Sequence, residues 1–171
     1  MKHLLLMAIA ILTSMVLPVA VQALSPSNHS IRKQSFNSGW TFSQEGVSGT
    51  QAVTLPHDAM IGSKRDSSSA GGSAIAFFKG GIYSYVKHFT APKDWAHKHV
   101  VFQFEGVYKK STVRINGKQA GGAAYGYIPF FVSADGLLNY GGDNTIEVTA
   151  DNSEIPNSRW YSGGGIYRPV W

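Results

Sequence analysis

The sequence predicts an all-β domain, an antiparallel β-sandwich of jelly-roll type, and three observations carry that expectation. Apolar and polar residues alternate in many short runs, with turn signals roughly every 8–12 residues. No window of about 11 residues beyond the N-terminal segment shows helical periodicity. Gly 19 against Pro 7, with 12% aromatic residues, favours short strands and many turns. Hydrophobic residues at 43% and charged residues at 15% exclude a disordered chain.

The elements follow in order. Lys2 and His3 precede an apolar run over residues 4–17, then Pro18, then small residues at Val21 and Ala23. This pattern predicts a signal peptide over residues 1–23, cleaved after Ala23, and hence export to the periplasm or the extracellular space. The apolar stretch is shorter than the roughly 20 residues of a membrane span, so no membrane is expected for the mature form. With Cys 0, the chain cannot be a lipoprotein, form a disulfide or use a thiolate. Residues 24–30 read as a flexible lead-in containing the sequon Asn28-His29-Ser30, and residues 31–171 as the sandwich.

Tyr83, Tyr85, Lys87 and Phe89 alternate with Ile82, Ser84, Val86 and His88 in a half-buried strand. Val100, Phe102 and Phe104 share one face of the next strand. Val113 and Ile115 lead into Asn116-Gly117, a strong hairpin signal, with residues 118–120 as the return strand. Further strands are expected at residues 41–42, 52–55, 130–132, 145–150 and 166–171. Residues 62–81 break the rhythm as a loop of unusual length. Within it Ile75, Phe77 and Phe78 either pack back on the sandwich or contact something else. The chain stops at Arg168-Pro169-Val170-Trp171 with no polar tail, which predicts a C-terminal truncation.

Composition also narrows the chemistry. The formal net charge of +5 is scattered, without a basic stripe interleaved with aromatics, so nucleic acid is a poor partner. His97 and His99 would share a strand face, but with no third ligand nearby they read as solvated histidines, and no metal or other cofactor is implied. Neither a Gly-x-Ser-x-Gly elbow nor a phosphate-binding Gly-x-x-x-x-Gly-Lys loop occurs. Asp58, Asp151 and Glu154 read as turn or capping carboxylates. Two segments stand out: Leu55-Pro56-His57-Asp58, and Arg159-Trp160-Tyr161-Ser162 before three glycines. Aromatic faces stack on the C–H side of a sugar ring, and Arg reaches its hydroxyls. The bland alternative is a turn with packed aromatics.

The ordered set of pieces is more specific than any single one. Trp40-Thr41-Phe42, Leu55-Pro56-His57-Asp58 and Gly80-Gly81-Ile82-Tyr83-Ser84-Tyr85 come first. Phe104-Glu105-Gly106-Val107-Tyr108, Val113-Arg114-Ile115-Asn116-Gly117-Lys118 and Gly126-Tyr127-Ile128-Pro129-Phe130 follow. Arg159-Trp160-Tyr161-Ser162-Gly163 and Gly165-Ile166-Tyr167-Arg168 close the series. In order and spacing it resembles the N-terminal sugar-binding domain of glycoside hydrolase family 2, and most of all the bacterial β-galactosidase branch.

The resemblance implies a galactose-binding-domain-like jelly roll that packs against an immunoglobulin-like domain and a (β/α)₈ barrel. In that family the barrel holds both catalytic glutamates of a retaining mechanism. Nothing here matches the motifs around them, so this chain alone is expected to be inactive, with no catalytic residue of its own. The implied partners are the missing downstream domains and a β-galactoside or related glycan. The implied substrate-binding candidates are Arg159, Trp160, Tyr161, Asp58 and His57. Some family members place a sugar-contacting Asp seven residues before the Ile of Gly-Ile-aromatic-Arg, where this chain has Arg159. An isolated jelly roll is expected to expose parts of Phe77, Phe78 and Trp171. The alternative functions are a stand-alone carbohydrate-binding module and a structural sandwich with no sugar site.

Overall fold

The structure, a computed structural model, describes residues 32–171. The expected signal peptide (1–23), the lead-in (24–30) and the Asn28 sequon lie outside the described residues. The compact unit runs Lys33–Trp171. Its strands are β1 (Trp40–Gln44), β2 (Gln51–Val53), β3 (Ile82–Thr90), β4 (Val101–Phe104), β5 (Ser111–Ile115), β6 (Lys118–Ala123), β7 (Phe130–Ser133) and β8 (Asp143–Asp151). The only helical pieces among the described residues are two 3₁₀ turns, Gly72–Ile75 and Lys93–His97.

Six strands form one antiparallel sheet in the order β2-β1-β3-β8-β5-β6, and β4 pairs with β7 in a second. Period-2 alternation decides the faces: along β8, Asn144, Ile146, Val148 and Ala150 are buried while the residues between them are not. One core joins the two sheets. Tyr83, Tyr85, Val113, Ile115, Ile146 and Val148 of the large sheet pack with Phe102, Phe104 and Val132 of the small one. The β5–β6 hairpin turns at Asn116-Gly117, both at positive φ (50° and 77°), as an Asn-Gly turn of this kind requires.

Three expectations need correction. Residues 166–171 form no continuous strand. Pro169 has no N–H to give, and pairing is limited to bridges such as Phe104–Val170 and Tyr108–Gly165. Trp171 still exchanges both backbone hydrogen bonds with Gln103 on β4 (2.9 and 3.0 Å). In the 62–81 loop, Ile75 and Phe78 pack into the sandwich (each 4% exposed), and only Phe77 stays partly open, so Phe78 leaves the set of exposed rings. Its near reversal follows from Ala76 and Phe77, both at positive φ. Trp171 is half-buried, its indole N–H donating to Glu105 (2.8 Å) with Lys33 over the ring. Finally, His97 ends a 3₁₀ turn rather than sharing a strand face with His99, which instead bonds Asp135.

Candidate functional site

Residues 152–168 form an irregular run pinned across one end of the sandwich. Asn152, 2% exposed, exchanges backbone hydrogen bonds with Gly81, and its amide reaches the Gly163 carbonyl (3.1 Å). Its Oδ1 accepts from Asn157 Nδ2 (2.7 Å), whose own Oδ1 accepts from the Tyr108 hydroxyl (2.9 Å). Further on, the glycine run threads between two segments. His57 and Ala59 donate backbone N–H groups to Ile166 and Gly164, while Tyr108 and Gly165 exchange a reciprocal pair. Only glycine fits at Gly165: φ is +83°, and a Cβ there would lie 2.0 Å from the Tyr85 hydroxyl oxygen.

Three of the five candidates come together in this anchor. Asp58 Oδ1 accepts from the Met60 and Gly164 amides (2.9 and 3.1 Å), and Oδ2 accepts from the Tyr161 hydroxyl (2.6 Å). Burial, then the Asp58 bond, push the Tyr161 hydroxyl well above the usual tyrosine range, so it stays a proton donor. His57 Nδ1 bonds the Tyr85 hydroxyl (2.9 Å), and its ring lies 4.8 Å from Phe42. Desolvation holds this imidazole below its ordinary pKa, although Asp58 pulls the other way. The Asp58 and Tyr161 contacts are those of a clamp.

Arg159 and Trp160 stand apart from it. Trp160 is 64% exposed, and Arg159 is exposed with no hydrogen bond or ion pair among the described residues. Beneath them Ser158 Oγ bonds the Trp160 carbonyl and Ser162 Oγ.

Sequence reasoning missed the neighbour of this loop. Between β6 and β7, Tyr125, Tyr127 and Ile128 are all substantially exposed. Tyr127 Oη bonds Ser162 Oγ (2.9 Å), and Tyr167 Oη donates to the Gly126 carbonyl (2.8 Å). The Tyr127 ring meets Tyr108 edge-on (5.2 Å), and Tyr125 meets Tyr127 (5.5 Å). The two loops therefore form one aromatic edge. Its signal was three large apolar residues in a segment too turn-like to be a strand. Among the described residues, no group of three His, Cys, Asp or Glu is placed to hold a metal.

No protein-family model matches the chain. A β-galactosidase of Bacteroides ovatus, BoGH2A, is 39% identical over 152 residues, covering 81% of this chain and 18% of that protein. A solved β-glycosidase of Bacteroides vulgatus superposes with a TM-score of 0.72 at 36% identity, over 80% of this chain and 19% of the other. The chain is a family 2 glycoside hydrolase N-terminal sandwich domain. A β-glucuronidase of Bacteroides fragilis is 32% identical over 148 residues, 78% of this chain and 19% of its own. The family 2 domain thus spans about a fifth of the length of these relatives, which bear both β-galactosidase and β-glucuronidase names.

Proposed function

We propose that this domain serves an exported family 2 glycosidase that hydrolyses O-glycosidic bonds of β-galactosides or related glycans. The two catalytic carboxylates come from a barrel domain outside this sequence. In a retaining mechanism one carboxyl protonates the leaving oxygen while the other attacks the anomeric carbon. The contribution of this domain is recognition: Arg159 and Trp160, with Tyr125 and Tyr127 beside them, face the glycan at the rim of the pocket. The observation that carries this reading is the unpaired Arg159 beside an exposed Trp160 on a loop whose neighbours are hydrogen-bonded in place. Aromatic faces suit sugar rings, and a guanidinium suits hydroxyl or carboxylate oxygens.

A second reading, action on β-glucuronides, is favoured by the same Arg159, because a free cation would pair with a uronic carboxylate. Kinetics of the enzyme bearing this domain together with its barrel test both. Arg159→Ala is expected to lower kcat/KM by about 10- to 150-fold, the cost of one charged hydrogen bond. A larger loss on the aryl β-galactoside supports the first reading, and a larger loss on the aryl β-glucuronide the second. Unchanged kcat/KM on both removes Arg159 from the substrate site.

A further inference from the structure

A cleft of about 280 Å³ opens between the β1–β2 turn and the segment from His57 to Ser63. Phe42, whose ring abuts that of His57, supplies an apolar wall, and Gln44, Thr50 and Gln51 line the cleft around it. None of these three polar side chains makes a hydrogen bond among the described residues. His57 Nδ1 is taken by Tyr85, which leaves Nε2 without a partner there.

The charge of the lining narrows what fits. No Lys or Arg borders the cleft, so nothing compensates an anion. Asp58 is the one acidic lining residue, and both its oxygens already accept hydrogen bonds from the protein, which leaves little for a cation. Desolvation also disfavours the charged form of His57. What remains is uncommitted amide and hydroxyl groups beside an aromatic wall, a lining suited to a neutral ligand with many hydroxyls and one apolar face. The volume lies just below the roughly 300–1,000 Å³ of typical small-molecule sites, which suits a single ring.

We propose that this cleft binds one neutral pyranose unit of a glycan. The proposal is independent of the role given to Arg159 and Trp160, since it rests on the β1–β2 side of the domain. One ring held by a few solvent-competed contacts should bind with about millimolar affinity.

The test is a heteronuclear NMR titration of the 171-residue chain with methyl β-galactopyranoside, with sodium glucuronate as the charged comparison. The expected result is saturable shifts at the amides of Phe42, Gln44, Gln51 and His57, with glucuronate binding at least about fivefold more weakly. The double substitution Gln44→Ala/Gln51→Ala should weaken galactoside binding by at least about fivefold, as two uncharged hydrogen bonds imply. Trp160→Ala should leave it unchanged. If the double variant does not fold, Thr50→Val on the exposed turn must weaken the same titration.

Three results would overturn the proposal: no saturable shift up to about 50 mM galactoside, equal binding of glucuronate, or wild-type affinity in the folded variants. Shifts confined to Trp160 and Tyr127 would likewise refute it while supporting the loop as the glycan contact.

Discussion

Replacing Tyr161 with Phe removes one hydroxyl and leaves the ring that packs 5.2 Å from Phe78. That hydroxyl donates to an ionised carboxylate at 2.6 Å, the kind of bond that contributes about 1.5–3 kcal/mol. In Tyr161→Phe, Asp58 keeps its two amide donors and is only half-buried, so water can replace the lost partner. The expected cost is therefore at the low end, about 1.5 kcal/mol. Asp58→Ala loses all three bonds and strands the buried Gly164 amide, so its cost should reach about 3–5 kcal/mol. The decisive quantity is their coupling. With Asp58 already Ala, Tyr161→Phe should cost almost nothing, giving a coupling of about 1.5 kcal/mol. Urea unfolding of the wild type, both single variants and the double variant measures it, provided the four share one m-value. Additivity within about 0.5 kcal/mol would show that the hydroxyl does not act through Asp58 and would refute the clamp.

Three other outcomes can be checked with the same preparations. Trp160→Ala should shift stability by no more than about 0.5 kcal/mol because its ring is 64% exposed; a loss near 3 kcal/mol by urea unfolding would mean that the ring is packed. Gly165→Ala should cost about 2–4 kcal/mol, combining a strained positive φ with a Cβ driven into the Tyr85 hydroxyl, and a near-neutral denaturation midpoint would contradict that close approach. His57 is held below its ordinary value of 6.5 in the folded chain, so between the two values the unfolded chain binds more protons. Its contribution is complete above pH 6.5 and is lost as pH falls through the folded value; unfolding free energies measured over pH 5–8 should lose this slope in His57→Gln, and equal slopes would remove His57 as its source.

Much of the sheet was legible because local rules decided it. The alternation from Ile82 to Phe89 gave β3, and Asn116-Gly117 gave the hairpin between β5 and β6. What failed depended on residues far apart in sequence. Residues 166–171 look like a strand by apolar content, yet Gly165 at φ +83° and Pro169 reduce the pairing to separate bridges. Between Phe77 and Phe78, composition could not say which ring packs, since two consecutive positive-φ residues set the direction. The site divided in the same way. Resemblance put Asp58 and Tyr161 together as sugar contacts, but 103 residues separate them, and only the fold reveals that they bond each other. Tyr125 and Tyr127 were invisible as site residues because nothing local distinguishes an exposed tyrosine from a buried one.

The clamp also bears on how Arg159 and Trp160 can act. Asn157 is fixed on one side by Asn152, the Glu154 carbonyl and Tyr108, and Tyr161 is fixed on the other by Asp58. Only three residues lie between these points, and Ser158 spends its hydroxyl on the Trp160 carbonyl and Ser162. A backbone held this closely has little conformational entropy left to lose when its exposed side chains meet a ligand. Ordering a free side chain at an interface costs about 0.5–1.5 kcal/mol, and a mobile loop costs more. The buried hydrogen bonds of His57, Asp58 and Asn152 thus matter to recognition without touching a glycan. They hold the loop before binding, so that contacts from Arg159 and Trp160 appear as affinity rather than being consumed in ordering the chain. Loosening the clamp should therefore weaken glycan binding even where Arg159 and Trp160 are intact. In the enzyme carrying its barrel, Tyr161→Phe should raise KM for the glycoside more than it lowers kcat, the pattern of an interaction made equally in ground and transition states. If kcat falls while KM holds, Tyr161 acts on the transition state, and positioning is not its role.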